Sequence, residues 1–403
     1  MQSLIETYQR LNAAQKDVYI RNFYSDFVFE DRLNGIVGPR GVGKTTFLLH
    51  FLSQSRLEPS QKLYVSADNL YFVEHSLVSL VDQFVKELDG QLIAIDEIHK
   101  YQNWNQELKN IYDSYPQINI LFSGSSSIDL VKGKYDLSRR ALLHHMFGFS
   151  FREYLEFTLH QSFKKYSLEE LTKNHISIAN KLALIPKMQG HFKTYLERGY
   201  YPFSHKYKQL EHFAKIIIGM IEKTIYEDIA SFYSLKTQNL EVFKKILYFI
   251  ATTKPGSMSI NQLANSLSKD HTTTAEYLQI LKDTGLLLFL MNEKTGHALI
   301  RNAEKVYLDN PNLSFAINHS LGKKNDVGNT REEFVLSQLL HAAYVPFYTK
   351  QGDFKCNAFT FEVGGKGKSD KQVRNVDQAF VIKDNILIGD KKNIPLYLFG
   401  FLS

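Results

Sequence analysis

The stretch Gly38-Pro39-Arg40-Gly41-Val42-Gly43-Lys44-Thr45-Thr46 decides how this chain is read. It meets every fixed position of G-x-x-x-x-G-K-[ST], the phosphate-binding P-loop. Gly41 and Gly43 let successive backbone N–H groups turn inward toward a polyphosphate. Lys44 adds a point charge for the β- and γ-phosphates, and the Thr45 hydroxyl can ligate Mg²⁺. The phosphates would also sit at a helix N-terminus, where the dipole favours negative charge. All nine residues therefore form the candidate nucleotide-binding set. Residues 33–37 read as a short buried strand and 46–52 as a helix with one apolar face. Strand, glycine loop and helix are the setting the motif requires, which weighs against a ligand-free glycine turn.

Further along, 62–67 reads as a second strand, and 77–88 has helical spacing at Leu77, Leu80, Val81 and Phe84. Gln91-Leu92-Ile93-Ala94-Ile95-Asp96-Glu97-Ile98-His99 is an apolar strand ending in two acids. A continuous apolar run suits a parallel strand buried on both faces. Asp96 is placed to hold Mg²⁺ and Glu97 to polarise the attacking water. A capping role for Glu97 is the bland alternative. Residues 118–127 form another buried strand ending in serines, of which Ser123 and Ser125 are candidates to sense the γ-phosphate or cap the next helix. Arg139 and Arg140 follow. They are either surface arginines or groups that stabilise a neighbouring subunit's γ-phosphate.

Composition bounds the rest. The 403 residues suffice for two to four domains, and 44% hydrophobic with 22% charged is ordinary for a globular chain. A net charge of +6 permits a nucleic-acid partner without requiring one. Cys356 is the only cysteine, which excludes an intrachain disulfide and a cysteine-rich zinc site and suits a reducing cytoplasm. Glu6, Arg10, Lys16 and Asp17 break up any signal-peptide core, and the apolar runs at 216–218 and 286–290 are too short to span a bilayer. A cytoplasmic protein without membrane partners is expected.

These motifs, with Phe122-Ser123-Gly124-Ser125-Ser126 and 149–155 (FSFREYL), resemble the bacterial and archaeal AAA-type ATPases. More narrowly, they are similar to those whose C-terminal domain has a restriction-endonuclease-like fold of unassigned function. The likeness covers nearly the whole chain. It implies ATP as the nucleotide, an additional-strand core, and Glu97 as the catalytic carboxylate. It also implies that Arg139 and Arg140 act in trans as arginine fingers, hence a homo-oligomer.

The C-terminal half has three expected parts. Residues 151–250 are mainly helical and read as a lid. Residues 251–325 open on Pro255-Gly256 and carry a helix begun by Ser259, a second helix over 272–283, and a strand at 286–290. That is a winged helix-turn-helix pattern. Its second helix would expose Thr273, Thr274, Gln279 and Lys282, near Lys269 and His271. This is a thin electrostatic footprint, so duplex DNA binding and a packing role both stand. Residues 326–403 carry an amphipathic helix at 330–340 and strands at 347–350 and 358–363. Asp353, Glu362 and Lys366 resemble the acids and lysine with which restriction-type nucleases hold a metal, and the resemblance adds Glu332. The usual Glu-x-Lys spacing is broken, because glycine occupies position 364. A non-cutting domain is favoured over an active nuclease.

The expected fold is thus an α/β P-loop NTPase core of AAA+ type (1–150) with a parallel sheet. A helical lid (151–250), a winged helix (251–325) and a small α/β restriction-endonuclease-like domain (326–403) follow it. The expected function is Mg²⁺-dependent ATP hydrolysis. It is coupled either to DNA or, through the C-terminal domain, to a protein partner in a nucleotide-controlled switch or scaffold.

Overall fold

The computed structural model describes residues 1–15, 19–124, 137, 139–233, 235, 237–254, 260–293 and 303–403. The chain divides into two compact units, Met1–Gly148 and Phe149–Ser403.

The first unit contains α1 (Gln2–Ala13), α2 (Asn22–Asp26), β1 (Leu33–Val37), α3 (Lys44–Gln54), β2 (Lys62–Ser66) and α4 (Leu77–Leu88). β3 (Leu92–Asp96), α5 (Trp104–Ser114), β4 (Asn119–Gly124) and β5 (Leu142–His145) complete it. The strands form one parallel sheet in the order β2-β3-β4-β1-β5. β1 and β3 are buried at every position, as their unbroken apolar runs require. β4 lies between them, so the strand carrying the P-loop and the strand carrying Asp96 are not neighbours. That inserted strand is the additional strand implied by the resemblance. It brings Ser123 beside the end of β3. Ser76 caps α4 by accepting from the Ser79 N–H, and Leu77, Leu80, Val81 and Phe84 are the face it buries.

The second unit begins with α6 (Phe151–Leu159), α7 (Leu168–Leu182), α8 (Met188–Thr194), α9 (Leu210–Lys223) and α10 (Thr237–Thr252). Next come α11 (Ile260–Leu267), α12 (His271–Asp283), β6 (Leu287–Asn292) and β7 (Ala303–Leu308). α13 (Pro311–Ser320), α14 (Val327–His341), β8 (Phe347–Tyr348) and β9 (Phe354–Cys356) follow. β10 (Phe359–Gly364), β11 (Ala379–Lys383) and β12 (Asn393–Pro395) end the series. The strands form one mixed sheet, β12-β11-β10-β9-β8-β6-β7. β6 and β7, expected in a separate winged helix, are thereby continuous with the strands of the tail, through Met291 opposite Phe347. One hydrophobic cluster joins Phe151, Leu171, Phe192, Phe334, Phe361 and Phe401, so helices of the expected lid and strands of the tail share a core.

α12 differs from its sequence reading in two respects. Thr274, expected on the exposed face, is fully buried, and its hydroxyl donates to the Asp270 carbonyl at 2.9 Å. Asp270 caps the helix by accepting from the Thr273 N–H, which starts it one residue earlier than the spacing suggested. Tyr277, Leu278 and Leu281 face the core and leave Glu276 and Lys282 exposed. The Pro255-Gly256 break, the Ser259 cap and Ser125 lie outside the described residues.

Candidate active site at the P-loop

β1 runs straight into Gly38, where a Cβ would come within 2.0 Å of the Met146 carbonyl oxygen, so only glycine fits. Gly41 and Gly43 then adopt φ of 79° and 104°, the left-handed region that turns the loop N–H groups inward. Lys44 opens α3, and its buried ammonium donates to the Gly38 and Pro39 carbonyls at 2.8 Å each. It therefore lies within the loop that the motif assigns to phosphate. Arg21 braces the loop from behind. Its buried guanidinium donates to the carbonyls of Val42, Phe147 and Gly148, each at 2.9 Å, tying the P-loop to the chain leaving β5.

Asp96 is the hub of the site. The Thr45 hydroxyl donates to its Oδ2 at 2.6 Å, and the Tyr64 hydroxyl donates to the same oxygen at 2.8 Å. The Ser123 hydroxyl donates to Oδ1. Burial, reinforced by the Asp96 charge, holds the Tyr64 phenol far above its ordinary range, so it stays a proton donor. Thr45 and Asp96 are hard oxygen donors side by side, a set that fits Mg²⁺.

Glu97 has φ of 51°, a left-handed conformation that costs a non-glycine residue roughly 1–2 kcal/mol. Its N–H is held by Asp96 Oδ1 and Ser123 Oγ, both at 3.1 Å. Its carboxylate lies 3.4 Å from Arg40 and 3.5 Å from the His99 ring. The P-loop and the acidic strand end are thus in direct contact through Arg40 as well as Thr45.

Arg139 and Arg140 precede β5, which runs parallel to β1 with Asn34 opposite Leu142 and Val37 opposite His145. They are at the end of the sheet away from the P-loop. Arg140 makes a two-pronged pair with Asp113 at 3.0 and 3.2 Å, and Arg139 is exposed. Neither reaches this chain's own phosphate loop.

In the second unit, Lys305 bridges Glu332 and Asp353 at 3.0 and 2.9 Å. Glu362 is buried beside them and pairs with Lys368. Lys366, the lysine singled out in the sequence, is exposed instead. The turn at Gly364 and Gly365 explains the exchange. Lys368 N–H donates to the Gly365 carbonyl, and the Lys368 side chain folds over Gly364, where a Cβ would meet it at 2.6 Å. Arg21, Tyr64 and Lys305 carry no local motif, and only their placement marks them.

Residues 30–155 match the family model of an AAA domain (AAA_14), and residues 189–320 match a domain of unknown function (DUF8612). A curated relative, the uncharacterized protein MJ1637 of Methanocaldococcus jannaschii, is 26% identical over 94% of this chain and 84% of its own length. Among solved structures, AMPPCP-bound DnaA from Aquifex aeolicus aligns at 18% identity, with a TM-score of 0.27 over 65% of this chain and 84% of that one. The ADP complex of Hsp104 from S. cerevisiae aligns at 12% identity, with a TM-score of 0.31 over 68% and 41%. Scores this low leave the assignment to the sheet order, the P-loop and the family match. No helix among the described residues is long and apolar enough to cross a membrane. The first unit has the P-loop NTPase fold in its AAA-type form.

Proposed function

We propose that the first unit binds ATP with Mg²⁺ and hydrolyses it. The observation that carries this is the Thr45 hydroxyl on Asp96 at 2.6 Å, beside the Lys44 ammonium seated inside the loop. Lys44 exchanges its two carbonyl partners for β- and γ-phosphate oxygens, and the loop N–H groups take the remaining charge. Thr45 and Asp96 would hold the Mg²⁺, which neutralises charge developing on the phosphates. Tyr64 and Ser123 keep Asp96 oriented. Glu97 leaves Arg40 to accept a proton from the attacking water. Arg139 or Arg140 completes the site of a neighbouring copy; for Arg140 this requires its pair with Asp113 to open.

The cycle drives either a DNA-coupled enzyme or a switch that grips a protein partner. The burial of Thr274 and the exposure of Glu276 favour the second, because they remove a polar contact from α12 and add a negative charge to it.

ATP turnover by wild type, Lys44→Ala and Glu97→Gln, each with and without duplex DNA, tests both levels. Lys44→Ala should lose nucleotide affinity. Glu97→Gln should keep affinity and lose about 10²–10⁴-fold in turnover. Wild-type turnover in Lys44→Ala would refute ATP hydrolysis at this site. Stimulation by DNA that vanishes in Glu97→Gln would return the preference to the DNA-coupled reading.

A further inference from the structure

Two acids of the second unit, Glu332 and Asp353, converge on one lysine. Lys305 on β7 is largely buried, with 12% of its side chain exposed, and donates to Glu332 Oε2 on α14 and to Asp353 Oδ1 just ahead of β9. The Tyr307 hydroxyl, two residues along β7, donates to the same Glu332 oxygen at 2.6 Å. The Val363 N–H donates to the second Asp353 oxygen at 2.9 Å. Glu362 on β10 is 2% exposed, and its Oε2 meets no hydrogen-bond partner among the described residues. Burial acts against the charged form of Lys305, but the two carboxylates outweigh it and raise its pKa, so it stays an ammonium.

Glu332, Asp353 and Glu362 are the residue types with which a nuclease site would hold a divalent ion, yet as arranged here they do not fit one. A hard divalent ion needs about six oxygens around it. Here the Lys305 ammonium takes one oxygen from each of two acids, and a backbone N–H takes a third. Among the described residues no group of three or more His, Cys, Asp or Glu side chains is arranged to hold a metal. The charge count is instructive. Three carboxylates against Lys305 and Lys368 leave a formal charge of −1, and without Lys305 the charge is −2, which a divalent ion would match.

We propose that Lys305 is the built-in cation of this cluster and that it closes a latent divalent-cation site. In this chain Glu332 on α14 and Asp353 just ahead of β9 are held together by an ammonium instead of a metal, with Glu362 on β10 paired to Lys368 beside them. This cluster is therefore held without a metal, and it acquires a metal site when the Lys305 ammonium is removed by substitution. This stands apart from the P-loop proposal, since it concerns other residues and is tested without nucleotide.

The experiment is a Mn²⁺ titration of the full chain, free of nucleotide, with free Mn²⁺ followed by electron paramagnetic resonance. The proteins are wild type, Glu332→Gln, Lys305→Met and the double variant. Lys305→Met should bind one more Mn²⁺ per chain than wild type, and adding Glu332→Gln should abolish that gain. Its thermal midpoint should rise with Mn²⁺ while the wild-type midpoint does not. Equal stoichiometry in folded wild type and Lys305→Met would overturn the proposal. Loss of a Mn²⁺ site on introducing Glu332→Gln into wild type would also overturn it, because the native cluster would then already hold a metal. That comparison decides the question even where Lys305→Met does not fold.

Discussion

Glu333 offers a quantitative test of how dry the interior of the second unit is. It lies on α14 with 2% exposure, and the Ser314 hydroxyl donates to its Oε1 at 2.6 Å. Burial pushes its pKa from 4.5 up to about 8. The sign follows from linkage. The folded state holds the proton more tightly, so the associated stability is fully present below pH 4.5 and is lost as pH rises toward about 8. A shift of about 3.5 units corresponds to roughly 5 kcal/mol in full, of which about 4 kcal/mol falls between about pH 5 and pH 9. Glu333→Gln keeps the acceptor for Ser314 and never ionises. Whatever the amide costs by itself is the same at both pH values and cancels in the comparison. At roughly 2–4 °C per kcal/mol for a unit of this size, the variant should gain about 10 °C over wild type on going from pH 5 to pH 9. Thermal melts of both full-length proteins by circular dichroism, at each pH, measure it. A difference in midpoint that stays constant between the two pH values would refute the assignment of Glu333 as a buried, protonated acid.

Two further outcomes concern the first unit. Gly38→Ala puts a Cβ within 2.0 Å of the Met146 carbonyl oxygen, so the loop must shift, and affinity for a fluorescent ATP analogue should fall at least about tenfold. Unaltered affinity would mean the loop tolerates that displacement. Tyr64→Phe removes one of the three side-chain donors on Asp96, a loss of about 1–1.5 kcal/mol in hydrogen bonding. Turnover as a function of Mg²⁺ should shift its half-saturation upward by roughly tenfold, and a superimposable Mg²⁺ curve would dismiss Tyr64 as a support of the site.

The P-loop was legible in the chain because its geometry is local. Gly41, Gly43, Lys44 and Thr45 fall within one turn of loop and helix, so local backbone sterics set the shape of the loop. The strands at β1 and β3 were legible for a similar reason, since burial on both faces demands an unbroken apolar run. β5 was not read as a strand, because its residues Leu142, Leu143, His144 and His145 carry no such run and its pairing with β1 is a distant contact. Likewise the bond from Tyr64 to Asp96, the brace from Arg21 to Val42, and the bridge from Lys305 to Glu332 and Asp353 join residues far apart in the chain. Periodicity predicted α12 but misjudged Thr274, whose hydroxyl is satisfied by the Asp270 carbonyl and so can be buried. The P-loop, the acidic strand end and the apolar faces could be read from the chain, because each rests on neighbours within a few residues. That Ser123 and Tyr64 meet Asp96, that Lys368 pairs with Glu362, and that Lys305 pairs with Glu332 and Asp353 came only with the fold. Those outcomes depend on which strands pair and how a turn folds back, and no local spacing encodes them.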